Sequence, residues 1–503
     1  MSNDMNRRDG GRPEARRNGP AERRGGQRPG GAREGGFRPR DNQGRRPDRR
    51  GKPAARRGDS PRDVALKALQ DVVRGDAYAA QALDRRLDEA KLSSDDRRLA
   101  ASLFYFAVEN RLYIEAALKP FLQERPEPLV TDILHIAAAQ LLFMDRVPDH
   151  AAVDEAVKQV RAARREGFTG LVNAVLHNLI RARDGGEIRL PDREADPAGW
   201  LSARYSLAPA VAEALLAAYG PEEAERFAAW QPERRVQTIR PNRARHDAAS
   251  FEAWLDARKL LWKRGIVEDA YLIENGGNLA SGEGYRRGEF SIQGQSAMLA
   301  AQAMEPKPGM QVLDACAAPG GKTCLMAERM QGAGRVYAWD VHPHRVELIR
   351  AAARRLGLDN VRPSEHDARR PLDSLTLAMD AVLVDAPCSG LGVIADKPDI
   401  KYRQSAESLA ALPGVQREIL DACAKAVRVG GLLVYATCTV LPAENEEQVA
   451  AFLERHPEFR RDGDAAWLPE ALRDRWRDGM LRLLPHRDGL EGFFIARLRR
   501  EGV

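Results

Sequence analysis

At 503 residues the chain is longer than one hydrophobic core organises, so two to four domains of roughly 100–200 residues are expected. No run approaches the roughly 18–20 consecutive apolar residues of a membrane span, and no apolar segment of the secretory kind opens the sequence, so a soluble, cytoplasmic protein is expected. The net charge of +6 is unevenly placed: residues 1–60 hold 18 Lys/Arg and 8 Asp/Glu, which leaves 61 basic and 65 acidic residues for everything after them.

The first element in chain order is therefore a basic tail, residues 1–59. Rich in Arg, Gly and Pro and almost free of aliphatic side chains before Val64, it buries too little surface to offset its conformational entropy, which predicts disorder. Flexible Arg/Gly segments attract phosphates through counterion release, so the tail reads either as a non-specific RNA tether or as a solubilising extension. Order begins at Ser60-Pro61-Arg62-Asp63, where a Ser N-cap, a Pro at the first helical position and an acidic residue at the third mark a helix start. Ala65, Leu66, Leu69, Val72 and Val73 follow at helical spacing, and the same period runs through Leu103, Ile136 and Val157, so residues 60–185 are read as an all-α domain. Residues 186–290 mix helical stretches such as Pro209 to Tyr219 with strand-like pieces such as Val236 to Arg240, and predict a small α+β module. Its turn-rich end, Asn275-Gly276-Gly277-Asn278 and Ser281-Gly282-Glu283-Gly284, is expected to be a mobile surface loop. By position alone this module is assigned to substrate presentation.

From residue 291 to 503 short apolar runs alternate with helices, the pattern of a doubly wound, Rossmann-like α/β domain with its chemistry at the strand C-termini. Strands are predicted at Gln311–Ala315, Arg335–Asp340, Ala381–Asp385 and Leu432–Ala436, and a final antiparallel pair at Leu481–Leu484 and Gly492–Leu498. The first strand runs into Cys316-Ala317-Ala318-Pro319-Gly320-Gly321-Lys322-Thr323, where small residues let backbone approach a ligand closely. This is not a phosphate-binding P-loop, which needs Gly where Cys316 stands. Asp340 ends the next strand about 20 residues on, the distance at which a carboxylate receives ribose hydroxyls, so a nucleoside cofactor is expected.

The five cysteines, Cys316, Cys324, Cys388, Cys423 and Cys438, lack paired CxxC spacing, so free thiols and no metal site are expected. Cys324 and Cys423 lie within helices and read as small hydrophobes. Cys388 in Asp385-Ala386-Pro387-Cys388-Ser389-Gly390 and Cys438 in Thr437-Cys438-Thr439 instead sit at adjacent strand ends, on the edge where active sites form. An amino-group methyltransferase would carry a DPPY- or NPPY-like tetrad with an aromatic residue at the place of Cys388.

The segments CAAPGGKT (316–323), DAPCSGLGVIADKPDIKY (385–402) and ATCTVLPAENEEQV (436–449) resemble the Sun (RsmB-like) RNA cytosine-5 methyltransferases of the NOP2/Sun family. Two phrases of the helical domain, Arg146 to Val153 and Gly167 to Leu176, resemble the NusB-type RNA-binding domain found at the front of that branch. The resemblance covers residue 60 to the C-terminus. It implies a class I methyltransferase domain, S-adenosyl-L-methionine as cofactor, 16S ribosomal RNA as partner and 5-methylcytosine as product. It also implies cofactor contacts at Cys316, Ala317, Ala318, Pro319, Gly320, Gly321, Lys322, Asp340, Asp367 and Asp385, with Cys438 as nucleophile and Cys388 assisting product release.

Two positions depart from the family pattern: Ala395-Asp396 stand where two basic residues are usual, and Gln293-Gly294 replaces a QD pair.

Cytosine carbon 5 is too weak a nucleophile to attack a methyl sulfonium unaided; a thiolate adding to carbon 6 makes carbon 5 enamine-like. Asp385 would hold the ring at N3, and Lys322 would favour the thiolate. A monomer is expected. Transfer RNA is the alternative substrate, and a non-catalytic RNA-binding assembly factor the alternative of another class.

Overall fold

The computed structural model describes residues 59–502 apart from 76 and 233–235. Apart from Asp59, the basic tail lies outside the described residues. The first helix starts where the sequence predicts: the Ser60 hydroxyl accepts from the Asp63 amide, and the Asp63 carboxylate accepts from the Ser60 amide at 3.0 Å. Seven helices follow one another: α1 (Pro61–Arg74), α2 (Ala79–Glu89), α3 (Ser94–Glu109), α4 (Arg111–Leu118), α5 (Pro128–Phe143), α6 (Asp149–Ala162) and α7 (Thr169–Asp184). Helix α5 is apolar on nearly every face, burying Val130, Ile133, Leu134, Ile136 and Ala137 to Ala139, and a helix of that kind belongs at the centre of a bundle.

Residues 186–290 contain two packing units. Helices α8 (Pro197–Tyr205) and α9 (Pro209–Ala229) bury Leu201, Leu207, Val211, Leu215 and Phe227. That core is completed by Leu391, Ile394, Val440 and Leu441 from the loops behind Cys388 and Cys438. The second unit is an antiparallel sheet of β1 (Gln237–Pro241), β2 (Trp262–Arg264), β3 (Tyr271–Ile273) and β4 (Phe290–Ile292) in the order β2-β3-β1-β4, with α10 (Ala248–Ala257) and the single turn α11 (Glu283–Arg286). In the turn-rich stretch before α11, Leu279 is buried with Phe251, Tyr271 and Phe290, so an apolar anchor holds what composition alone suggests is a free loop.

Helix α12 (Gln295–Gln302) leads into the α/β domain. Its parallel strands are β5 (Gln311–Asp314), β6 (Arg335–Asp340), β7 (Val361–Glu365), β8 (Met379–Asp385) and β9 (Val427–Thr437). Between them run α13 (Gly321–Arg329), α14 (Pro343–Leu356) and α15 (Ala406–Ala424), with α16 (Glu446–Arg455) after β9. Strands β10 (Phe459–Arg461), β11 (Trp476–Arg477), β12 (Met480–Leu483) and β13 (Phe493–Arg500) complete a mixed sheet ordered β11-β12-β13-β9-β8-β5-β6-β7, with β10 beside β13. The Rossmann-like fold and the closing antiparallel pair are as the sequence predicts. Strand β7, Val-Arg-Pro-Ser-Glu, has a single fully buried residue, Val361, and pairs only with β6; an edge strand tolerates its proline and needs no apolar run.

Candidate active site

Strand β5 ends at Asp314 and turns through Cys316 to Gly320 into α13. The Ala317 amide donates to the Trp339 carbonyl at 2.7 Å and the Gly320 amide to the Ala317 carbonyl at 2.7 Å, so the loop is tied to β6 through the backbone, with Arg345 adding a side-chain link from the Ala318 carbonyl at 3.4 Å to Asp340. The Ala318-Pro319 peptide is cis, and Gly320 has φ +103°. A Cβ on Gly320 would lie 3.2 Å from the Ile349 Cα, so both its conformation and its packing against α14 require glycine. Beneath the loop the buried Asp314 carboxylate accepts from the Thr323 hydroxyl at 2.7 Å, and burial pushes its pKa up to about 7.

Asp340 closes β6 and accepts from the His342 amide at 3.0 Å, with Arg345 at 3.3 Å. Asp367, just beyond β7, accepts from Arg369, which holds its pKa down at about 2. Asp340 thus stands at the end of the strand beside the glycine loop, and Asp367 one strand further out. Asp385, at the end of β8, lies 2.7 Å from Lys322 Nζ. Burial pulls the Lys322 pKa down, but the Asp385 carboxylate outweighs it and the net shift is upward, so Lys322 stays charged.

The two cysteine loops meet. Cys388 Sγ and Cys438 Sγ are 3.4 Å apart and both thiols are free, so they form a hydrogen bond and not a disulfide. That bond lowers the pKa of Cys438; burial and Asp385 oppose it, while Lys322 and Lys397 reinforce it. The same bond, with burial, pushes the Cys388 thiol well up. The contact therefore displaces the two proton affinities in opposite directions, Cys438 down and Cys388 up.

A buried network fixes this contact. Glu444 accepts from the Ser389 amide at 2.9 Å, the Ser389 hydroxyl at 2.5 Å and the Gln416 amide at 2.9 Å. The Ser389 and Thr439 hydroxyls are 2.6 Å apart, and Gln416 also donates to the Pro387 carbonyl at 3.0 Å. Asn445 joins in, linking the Thr437 hydroxyl at 2.6 Å to the Thr439 carbonyl at 3.2 Å. Each cysteine is thus flanked by residues bonded to the other's loop. Sequence reasoning missed Glu444, Gln416 and Ser389 as site residues; the signal available was the polar Glu444-Asn445 pair following an apolar run at a strand end. At the Gln293-Gly294 departure, a Cβ on Gly294 would lie 2.1 Å from the Glu491 Oε1, while Gln293, which the pattern keeps, accepts from the buried Arg240 at 2.8 Å, and Arg240 pairs with Glu328 of α13, bracing the helix that the glycine loop opens.

Fold and site together define a Rossmann-fold methyltransferase that carries a NusB-type helical domain at its front. Residues 301–499 match the 16S rRNA methyltransferase RsmB/F family and residues 59–181 the NusB family. The chain is 37% identical to the probable ribosomal RNA small subunit methyltransferase B of Bacillus subtilis, over 88% of this chain and 99% of that protein. It is 33% identical to ribosomal RNA small subunit methyltransferase B of Pseudomonas syringae pv. tomato, over 87% and 96%. Among solved structures, a methyltransferase homolog protein from Pyrococcus horikoshii is similar with TM-score 0.50 at 26% identity, covering 60% of this chain and 97% of its own. The chain belongs to the RsmB/F family of 16S rRNA methyltransferases. No helix among the described residues is long and apolar enough to cross a membrane, and no group of three or more metal-ligating side chains occurs among them.

Proposed function

We propose that this methyltransferase acts on carbon 5 of a cytosine in 16S ribosomal RNA, through a covalent bond between Cys438 and the base. The observation that supports the reading is the 3.4 Å thiol contact with proton affinities displaced in opposite directions. The cofactor is S-adenosyl-L-methionine, and the residues present fit it: a turn of small residues from Cys316 to Gly320, shaped by the left-handed Gly320, and Asp340 at the adjoining strand end. When bound, it supplies an electrophilic methyl group.

The protein's own residues do the rest. The Cys438 thiolate adds to carbon 6 and makes carbon 5 nucleophilic. Lys322 orients the Asp385 carboxyl, which shares a proton with the ring at N3 and so draws off the charge that the addition puts on the base. Once Cys438 Sγ is bonded to carbon, the thiolate that had held the Cys388 proton is gone, so Cys388 gives that proton up to solvent more readily and becomes the base of the second half-reaction. It takes the carbon-5 proton, the carbon 5–carbon 6 double bond reforms, and the bond to Cys438 breaks with its electron pair returning to sulfur.

The test is to incubate the protein and labelled cofactor with naked 16S rRNA, assembled small subunits and transfer RNA, and to map 5-methylcytosine. Cys388→Ala should trap a covalent RNA adduct that survives denaturation, and Cys438→Ala should form none. Methylation confined to transfer RNA would overturn the substrate, and an adduct persisting in Cys438→Ala would reverse the two roles.

A further inference from the structure

The segment that leaves the Cys388 loop, Pro398 to Gln404, does not stay within the methyltransferase domain. Tyr402 packs against the core of the helical bundle, donates its hydroxyl to the Val108 carbonyl at 2.5 Å and accepts from the Arg111 amide at 3.1 Å. It thereby plugs the junction of α3 and α4. The neighbouring Lys401 is buried, with its ammonium 3.4 Å from the Glu109 carbonyl and 3.2 Å from the Tyr205 carbonyl. Those are the last residues of α3 and α8, so one cation meets the negative ends of two helices from different units. Its own carbonyl accepts from the Ala208 amide at 2.8 Å. Arg403 reaches the Ala77 carbonyl at 2.7 Å and lies over the Tyr78 ring.

The same few residues also return to the catalytic edge. Gln404 donates to the Ser389 carbonyl at 2.9 Å, one peptide from Cys388. Ile400 packs against Gly390, where a Cβ would lie 3.2 Å from the Ile400 Cδ1. Grip on the Cys388 loop thus flanks grip on the helical domain along five residues: Ile400 inward, Lys401, Tyr402 and Arg403 outward, Gln404 inward.

We propose that residues 400–404 are a positioning strap through which the helical RNA-binding domain sets the place of Cys388, so that base expulsion depends on that domain's seating. None of the strap residues touches a reacting atom; they act through Ser389 and Gly390. The proposal rests on the reading that Cys388 carries the second half-reaction, and it predicts a signature that general loosening would not produce. If the strap slackens, Cys438 still attacks but release slows, and the covalent adduct builds up.

The experiment compares Tyr402→Phe, Lys401→Met and Gln404→Ala with wild type and Cys388→Ala, measuring turnover, cofactor affinity and the fraction of RNA held in covalent adduct. Each strap variant should lose about tenfold in kcat, since displacements on the order of 1 Å are costly at a reacting centre, while cofactor affinity stays within about twofold and the adduct fraction rises. Gln404 has its hydrogen bonds with Ser389 and Ser408, both in the methyltransferase domain, so Gln404→Ala reports on the strap even if Lys401→Met fails to fold. Turnover at the wild-type rate in all three variants, or slow turnover without adduct while Cys388→Ala accumulates it, would overturn the strap. Absence of adduct in Cys388→Ala itself would overturn the cysteine assignment instead.

Discussion

Two neighbouring edges of one sheet are held by opposite means. At the cofactor edge, Ala317, Trp339 and Gly320 are joined by backbone hydrogen bonds, and small residues leave room for a ligand. At the cysteine edge, Glu444, Ser389, Thr439, Gln416 and Asn445 form a buried side-chain lattice around two reactive sulfurs. A loop that receives a ligand against its backbone must be bare. A loop that presents thiols at a set separation must be braced, and here Glu444 accepts from both Ser389 and Gln416 to brace it.

The contrast can be broken by substitution. The largest effect is expected from Glu444→Ala, which removes the acceptor shared by Ser389 and Gln416: kcat should fall about a hundredfold with cofactor affinity little changed. An equal loss of cofactor affinity would mean that the two edges are one unit. Next comes Gly320→Val, which places a branched side chain at φ +103° against Ile349. Cofactor binding, followed calorimetrically, should weaken about tenfold or more, while the rate at saturating cofactor stays within a few-fold.

The smallest effect concerns the floor beneath the glycine loop. Asp314 has its pKa raised from 3.8 to about 7, so the fold prefers the protonated carboxyl. Its contribution to stability is whole below the unfolded value and is lost as pH rises through about 7. Asp314→Asn keeps an acceptor for Thr323, so Tm should rise by about 2–4 °C at pH 8 and change less at pH 5. A shift of equal size at both pH values would show that the carboxyl is not the titrating group.

The bare edge was more legible in sequence than the braced one. CAAPGGKT is contiguous, and each of its small residues has a local reason, so the loop and Asp340 could be placed from spacing alone. Cys388 and Cys438 were legible as strand-end cysteines, but Glu444 lies 55 residues from Ser389 and 28 from Gln416, separations that carry no periodic signal. Lys401 and Tyr402 stand in plain view in DIKY, yet their partners Glu109 and Val108 lie 292 and 294 residues away. Strand β7 escaped because an edge position relaxes the apolar alternation by which strands are recognised. The NusB-like phrases stood out because the bundle is built from local, helical contacts.

The strand-end glycines add an order of events. The Gly392 amide donates to the Cys438 carbonyl at 2.9 Å, and the Gly492 amide to the Gly392 carbonyl at 2.8 Å. A Cβ on Gly392 would lie 1.9 Å from the Gly492 carbonyl oxygen, so the two backbones touch directly. Gly492 follows Cys438 by 54 residues and immediately precedes β13, the strand that pairs antiparallel with β9. A chain emerging from the ribosome as far as Thr439 would therefore already hold both cysteines and still lack the segment that clamps Gly392 between them and β13. Translation alone thus supplies both thiols before the closing strand that restrains their loops has been made.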